Sequence, residues 1–272
     1  MGELPTRRSH WGEGIIIAAR IAIQLLGPIT AAQAGARVPV QGQRQLKFLA
    51  ALALSPDQVV SKDSIIADSW GSDPPRTVSA QVQNSAWMIR RAFEQAGAGR
   101  HVVLSHAVGY QLRVAPDRVD LFTFRDMARD ARELCHAGDH HGALARLDAA
   151  LALWKGPALA DITSGRLRLR ADLLDRERTA AQELRAELDL CLGHFEEAVA
   201  QFEHLVSRDP LREDLYERLM RAYQQAGRQA DAIAVFHQAR QVLADELGIL
   251  PGRRLTAVLE GILNQRPVHA PA

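Results

Sequence analysis

Two stretches of one pattern, 34 residues apart, constrain this chain more than any other feature of its sequence. Gly193 opens "GHFEEAVAQFEHLVSRDP" and Gly227 opens "GRQADAIAVFHQARQVL". Counting from each glycine, the fifth residue on is an alanine (Ala198, Ala232) and the ninth a phenylalanine (Phe202, Phe236). The small residue lets paired helices approach closely, and the aromatic ring fills the gap between neighbouring pairs. Pro210 closes the first copy, while Tyr216, Leu219 and Tyr223 fall where the opening helix of the next needs bulk. A weaker copy starts at Gly138, with Ala143, Leu147 and Ala150, 55 positions ahead of Gly193. A segment containing "LWKGPALAD" is inserted or diverged in between. From Val119 onward the pattern is helical throughout.

A 34-residue period is that of tetratricopeptide repeats. Such repeats bury a continuous core between stacked helix pairs and leave a concave face for recognition, so this half builds a binding surface and no catalytic pocket. No His or Ser is patterned with Asp172, Asp175, Glu177 or Glu183 into a catalytic set, and no enzyme is expected. "CHAGDHH" (Cys135 to His141) sets His136 and His140 at i, i+4, but across a helix break and not on one rigid face, so no metal is expected either.

The front half has a different period. Ile21, Ile23 and Leu25 alternate, Gly27-Pro28 turns, and "RVPV" follows at Arg37 to Val40, which reads as a small sheet. "RQLKFLAALALS" places Leu46, Leu49, Ala50, Ala53 and Leu54 on one helical face and stops at Ser55-Pro56. "VVSKDSIIADSWG" reads as a brief extended piece, an N-cap at Ser61, and a helix carrying Ile65, Ile66 and Trp70 inward until Gly71. Beyond Pro74-Pro75 a third helix is expected from Thr77 or Val78 to about Ala96, burying Val82, Ala86, Ile89 and Phe93. "HVVLSHAVGYQLRV" then forms a hairpin turning at or before Gly109.

A sheet, three helices and a closing hairpin is the order of a winged helix-turn-helix, whose third helix enters a major groove while the hairpin touches phosphates. The expected fold class is therefore an α+β N-terminal winged helix-turn-helix over residues 20–118, followed by an all-α tetratricopeptide-like domain over 119–272. Residues 1–19 form an N-terminal extension.

Charge is consistent with that division. Residues 1–118 carry 13 Lys/Arg against 8 Asp/Glu, and residues 119–272 carry 20 against 24. A basic front half suits nucleic acid and an acidic back half suits protein partners. Cys135 and Cys191 sit in helical patterns with no disulfide framework or zinc spacing, which fits a reducing cytoplasm. Arg7-Arg8 precedes the apolar run "GIIIAARIAIQLLG", but Glu13 and Arg20 interrupt it and no small-residue cleavage site follows cleanly, so export is not expected. No membrane partner is expected.

Three long marks occur in order in the second half: "LWKGPALAD" (Leu153 to Asp161), "DPLREDLYERLMRAYQQAGR" (Asp209 to Arg228) and "LADELGILPG" (Leu243 to Gly252). With "VVSKDSIIADSWGSDPP", "IRRAF" and "GYQLRV" in the first half, the chain resembles the Streptomyces antibiotic regulatory protein (SARP) family. That family joins an OmpR-type winged helix to a bacterial transcriptional activation domain, and the resemblance covers roughly residues 20–265. It implies a cytoplasmic activator of secondary-metabolite pathways. The implied partners are double-stranded promoter DNA, bound as tandem direct repeats by two protomers head to tail, and RNA polymerase, recruited through its sigma factor. Large relatives append an ATPase module; no G-x-x-x-x-G-K-[ST] occurs here, so the small members are the better likeness and no cofactor is expected.

Candidate DNA-contacting residues follow from the winged-helix order. Gln83 and Asn84 suit an adenine edge or are ordinary solvated helix residues, and Trp87 suits thymine methyls or sugar, or packs on the wing or a second protomer. Arg90 and Arg91 lie near the helix end, where phosphates rather than bases are the expected partners, the alternative being an intramolecular salt bridge for one of them. Arg44, Lys62, Arg76 and Thr77 flank the groove at helix starts or loops, with Ser79 near the start of the third helix. His106 and Tyr110 belong to the wing. Where the family places a Ser-Arg pair this chain has Trp87-Met88, and the wing His106-Ala107-Val108 is weakly charged. Those departures leave open a protein-interaction adaptor whose winged helix does not bind DNA. A sensor of small molecules in the helical half is a further alternative that no residue cluster asks for.

Overall fold

The alternating residues at the front form an antiparallel meander of β1 (Ile21–Gln24), β2 (Thr30–Gln33) and β3 (Ala36–Val38), paired in that order. The register sets Ile23 opposite Ala31 and Ala31 opposite Val38, so all three fall on the buried face. The computed structural model describes residues 21–71, 73–163 and 165–264. The extension expected over residues 1–19 lies outside the described residues.

Three helices follow: α1 (Gln43–Ala53), α2 (Lys62–Trp70) and α3 (Val78–Gln95). Residues Phe48 to Ala53 of α1 are buried all round, not along one stripe, because α2, α3 and the hairpin strand Gly109–Leu112 surround it. Ser61 caps α2 as expected, its Oγ accepting from Ser64 N at 3.1 Å, and Gly71 ends the helix at φ +73. Only Ile65 of the three residues expected inward is fully buried; Ile66 and Trp70 are partly exposed. A second sheet, β4 (Val59–Ser61), β6 (Gly109–Leu112) and β5 (Val103–Ser105), contains the expected hairpin. Gly109 is required there, since a Cβ would meet the Val60 carbonyl oxygen at 1.9 Å.

The chain splits into two compact units, and the first is discontinuous in sequence: it runs to Asp126 and takes in Ala152–Asp175. The "LWKGPALAD" segment is thus a strap on the first sheet. Lys155 N and Leu159 N donate to the carbonyls of Leu26 and Leu25 at 2.7 and 2.9 Å, and Ala160 N donates to Gly27 O at 3.0 Å. Asp161 in turn accepts from Ile29 N at 2.6 Å, and Trp154 meets Phe124 edge-on at 5.3 Å. At the start of α4 (Asp120–His136), the Asp120 carboxylate accepts from Leu25 N and Leu26 N at 2.8 and 3.1 Å. Burial pushes its pKa up, opposed by those backbone donors.

In the second unit, Met127–Leu151 with the residues from Arg176 on, the described residues form helices joined by short turns. It contains most of α4, then α5 (His140–Leu151), the later part of α6 (Arg166–Leu192), α7 (Phe195–Arg208), α8 (Glu213–Gln225), α9 (Gln229–Leu247) and α10 (Arg253–Leu263). The repeat residues do what their spacing requires: Ala198, Phe202, Ala232 and Phe236 lie in one core with Tyr216, Leu219 and Tyr223. Gly193 and Gly227 take left-handed φ of +80 and +75, and the next amide folds back in each, His194 N to Asp189 O and Arg228 N to Tyr223 O, both 2.8 Å. Among the described residues no helix is long and apolar enough to cross a membrane.

Candidate nucleic-acid interface

The two faces of α3 differ sharply. Val82, Ser85, Ala86, Ile89, Ala92 and Phe93 are buried, which is the expected stripe with small residues added. Ser79, Gln83, Asn84, Trp87, Met88 and Arg91 are exposed on the other side, at the three- and four-residue intervals that place them on one face. The helix begins without a side-chain cap, since Thr77 Oγ1 accepts from Gln81 Nε2 at 2.9 Å and not from a backbone amide. First-turn N–H groups next to the exposed Arg76 and Thr77 are therefore left without that partner.

The two neighbouring arginines behave differently. Arg90 turns to the hairpin, donating through Nε to Val103 O and through Nη2 to Ser105 Oγ, both at 2.8 Å. It fastens β5 to the helix. Arg91 stays on the exposed face with its guanidinium 5.3 Å from the Trp87 ring centroid. Among the described residues neither Arg76 nor Arg91 has a carboxylate within ion-pair distance. Arg100 and His101, which the sequence analysis passed over, are brought by a 3-10 turn into a groove shared with Trp87, Arg91 and Glu94. A basic pair just ahead of a wing strand was the available signal. Arg100 pairs with Glu94 at 3.0 Å.

The wing is organised from within. Lys62 N donates to Val108 O at 3.0 Å and its ammonium leans over the Ala107 carbonyl, so the start of α2 holds the hairpin tip. His106 is joined to Gln111 Oε1 at 2.8 Å, and Gln111 donates to the Asp57 carbonyl at 2.9 Å. Tyr110, expected at the interface, is instead 4% exposed and stands edge-on to Phe48 at 5.3 Å. Its position on β6 faces α1, so it supports the wing from beneath. Burial raises its hydroxyl pKa, opposed by Arg90. Arg44 is exposed on the first turn of α1. The fold therefore groups Arg76, Thr77, Ser79, Gln83, Asn84, Trp87, Met88 and Arg91 at the start and along the exposed side of α3, and leaves Tyr110 apart from them.

Residues 40–112 match the family model described as "Transcriptional regulatory protein, C terminal", and residues 119–263 match "Bacterial transcriptional activator domain". The chain is 30% identical over 252 residues to the regulatory protein DnrI of Streptomyces peucetius, covering 90% of this chain and 93% of DnrI. It is 32% identical to the transcriptional regulatory protein EmbR of Mycobacterium tuberculosis over 92% of this chain, but spans 65% of EmbR. It also matches AfsR of Streptomyces coelicolor at 34% identity, over 90% of this chain and 24% of AfsR. A solved structure of M. tuberculosis EmbR in complex with a low-affinity phosphopeptide superposes with a TM-score of 0.84 at 30% identity, covering 92% of this chain and 66% of that one. With one model matching more than half its length and a relative matched nearly end to end, this chain belongs to the SARP-type transcriptional regulators, which join an OmpR-type winged helix to a bacterial transcriptional activator domain.

Proposed function

We propose that the chain is a sequence-specific activator that binds double-stranded promoter DNA through α3. One observation carries this: an 18-residue helix buries one face completely and presents amide, aromatic and cationic side chains on the other, beside a hairpin that Arg90 fastens to it. Arg76, Arg91 and the first-turn amides supply phosphate contacts that register the helix, and Gln83, Asn84, Trp87 and Met88 are left for base edges. Residues 20–118 act as the reading head, and residues 119–272, apart from the strap that steadies that head, as the activation domain.

Likeness to the family adds head-to-tail pairing on tandem direct repeats, control of a secondary-metabolite pathway, and recruitment of RNA polymerase through sigma factor. The stacked helix pairs of the second unit offer the surface that recruitment needs. A gel-shift titration against the chain's own upstream region tests the reading. Log affinity falls with log salt at about −0.9 per phosphate neutralised; failure to retain any promoter fragment at low salt overturns it.

A second reading, an adaptor with a winged helix that does not read DNA, is favoured by the exposed Trp87 and Met88 and by Arg90 being tied to the hairpin. Met88→Arg separates the two. Improved retention of DNA by the variant supports the adaptor, and lost promoter selectivity supports the reader.

A further inference from the structure

We infer that Trp87 and Met88 fix the class of sequence that α3 reads. The class is an A·T core in which a thymine methyl lies against these two side chains, about two base steps from an adenine held by Gln83 or Asn84. This rests on the DNA-binding reading above. Trp87 is 50% and Met88 40% exposed, in the middle of a helix whose other outward side chains, apart from Ala80, are polar or charged. Arg91 lies over the indole, so Trp87 has an ordered position before any partner arrives.

The donors of Trp87 and Met88 themselves are a poor match for guanine at this level of the helix. Guanine shows two acceptors in the major groove and is met by a forked or multiple donor. Met88 has only a weak thioether acceptor and Trp87 a single N–H. Of the nearby cations, Arg90 donates to Val103 O and Ser105 Oγ, and Arg91 is placed over the Trp87 ring. Thymine's C5 methyl is the apolar feature that the groove offers such a pair. One turn earlier, Gln83 and Asn84 carry the paired donor and acceptor that match adenine N7 and N6. Four residues of helix rise about 6 Å, and base pairs stack about 3.4 Å apart, which sets the separation of about two steps.

The full chain is used to select duplexes from a random pool, and the selected site is then remade with each thymine replaced in turn by deoxyuridine, which lacks the methyl. Adenine and thymine are expected at the stated separation, with one uracil replacement weakening binding about fourfold, the loss of one buried carbon at about 0.8 kcal/mol. Met88→Ala is expected to bind thymine and uracil duplexes alike, while Gln83→Ala keeps the methyl effect. Because these positions are exposed, unchanged thermal melting verifies that the variants fold. A G·C core, or indifference of the unaltered chain to uracil, overturns this inference and leaves DNA binding standing. Selection of no duplex overturns both. If Trp87→Ala changes only the sedimentation of the free protein and not its affinity for DNA, a second copy covers this face and the inference fails.

Discussion

The helical unit and the exposed face of α3 in the winged unit handle positive charge differently. In the helical unit Arg146, Arg185, Arg212, Arg218, Arg221 and Arg228 each lie within 4 Å of a carboxylate, several at 2.5 to 2.8 Å. Arg212 is gripped by both Glu183 and Asp214, which raises its pKa well above the usual arginine value. On the exposed face of α3, among the described residues, Arg76 and Arg91 face no carboxylate, and the partners of Arg90 are a carbonyl and a hydroxyl. Exposed ion pairs each contribute only about 0–1 kcal/mol, so the lattice in the helical unit matters more for cancelling charge than for stability. Cations left without carboxylates mark the surface suited to a polyanion.

The comparison breaks first at the strap. Trp154→Ala empties a site that is 6% exposed and packed on Phe124, and is expected to cost about 3–5 kcal/mol. Melting followed by near-ultraviolet circular dichroism, alongside duplex retention, should show the winged unit failing. If retention survives, the strap belongs functionally to the other unit.

Ala232→Leu overpacks a fully buried position between repeat helices, at about 1–3 kcal/mol, and acts on the helical unit alone. A promoter reporter should lose activation while gel shifts keep their affinity. Loss of both together would show that the units do not work separately.

The contrast between Arg90 and Arg91 is finer. Arg91→Ala should flatten the salt slope by about 0.9 with melting unchanged. Arg90→Ala should leave that slope as it is but cost about 1 kcal/mol or somewhat more through two lost hydrogen bonds to the hairpin. The reverse outcome would exchange their roles.

The smallest effect concerns Asp68, 1% exposed, whose carboxylate oxygens accept no hydrogen bond among the described residues and which pairs with Arg170 at 3.5 Å. Burial raises its pKa, opposed by Arg170 and Arg166. A carboxyl with a raised folded-state pKa favours the fold below its unfolded value near 3.8, and that contribution is lost as pH rises through the folded value. Asp68→Asn should therefore melt slightly higher than the unaltered chain at pH 7, by about 1–3 °C. The gain should vanish towards pH 4.

Much of the local structure was legible. The Ser61 cap, the Gly71 stop, the span of α3 and its buried stripe, and the alanine and phenylalanine of the repeats follow from short-range spacing, and the structure places them as that spacing requires. Candidate contacts were less so. Gln83, Asn84, Trp87 and Arg91 could be assigned to an outward face from helical period alone. Arg90 and Tyr110 could not, because their partners, Val103 and Ser105 for one and Phe48 for the other, come from separate elements. The all-round burial of α1 was hidden for the same reason: its pattern predicts one stripe, while three neighbours cover it.

By itself the sequence determined the order of elements, their caps and turns, and which side of each helix or strand is apolar, because those depend on residues a few positions apart. The tertiary structure alone decided that Asp120 closes the turn after β1 across 95 residues and that Asp161 holds Ile29 across 132. It likewise decided that one arginine of an adjacent pair anchors the wing while the other stays on the open face. Such choices depend on which surfaces meet in space, and no local period encodes a partner that far along the chain.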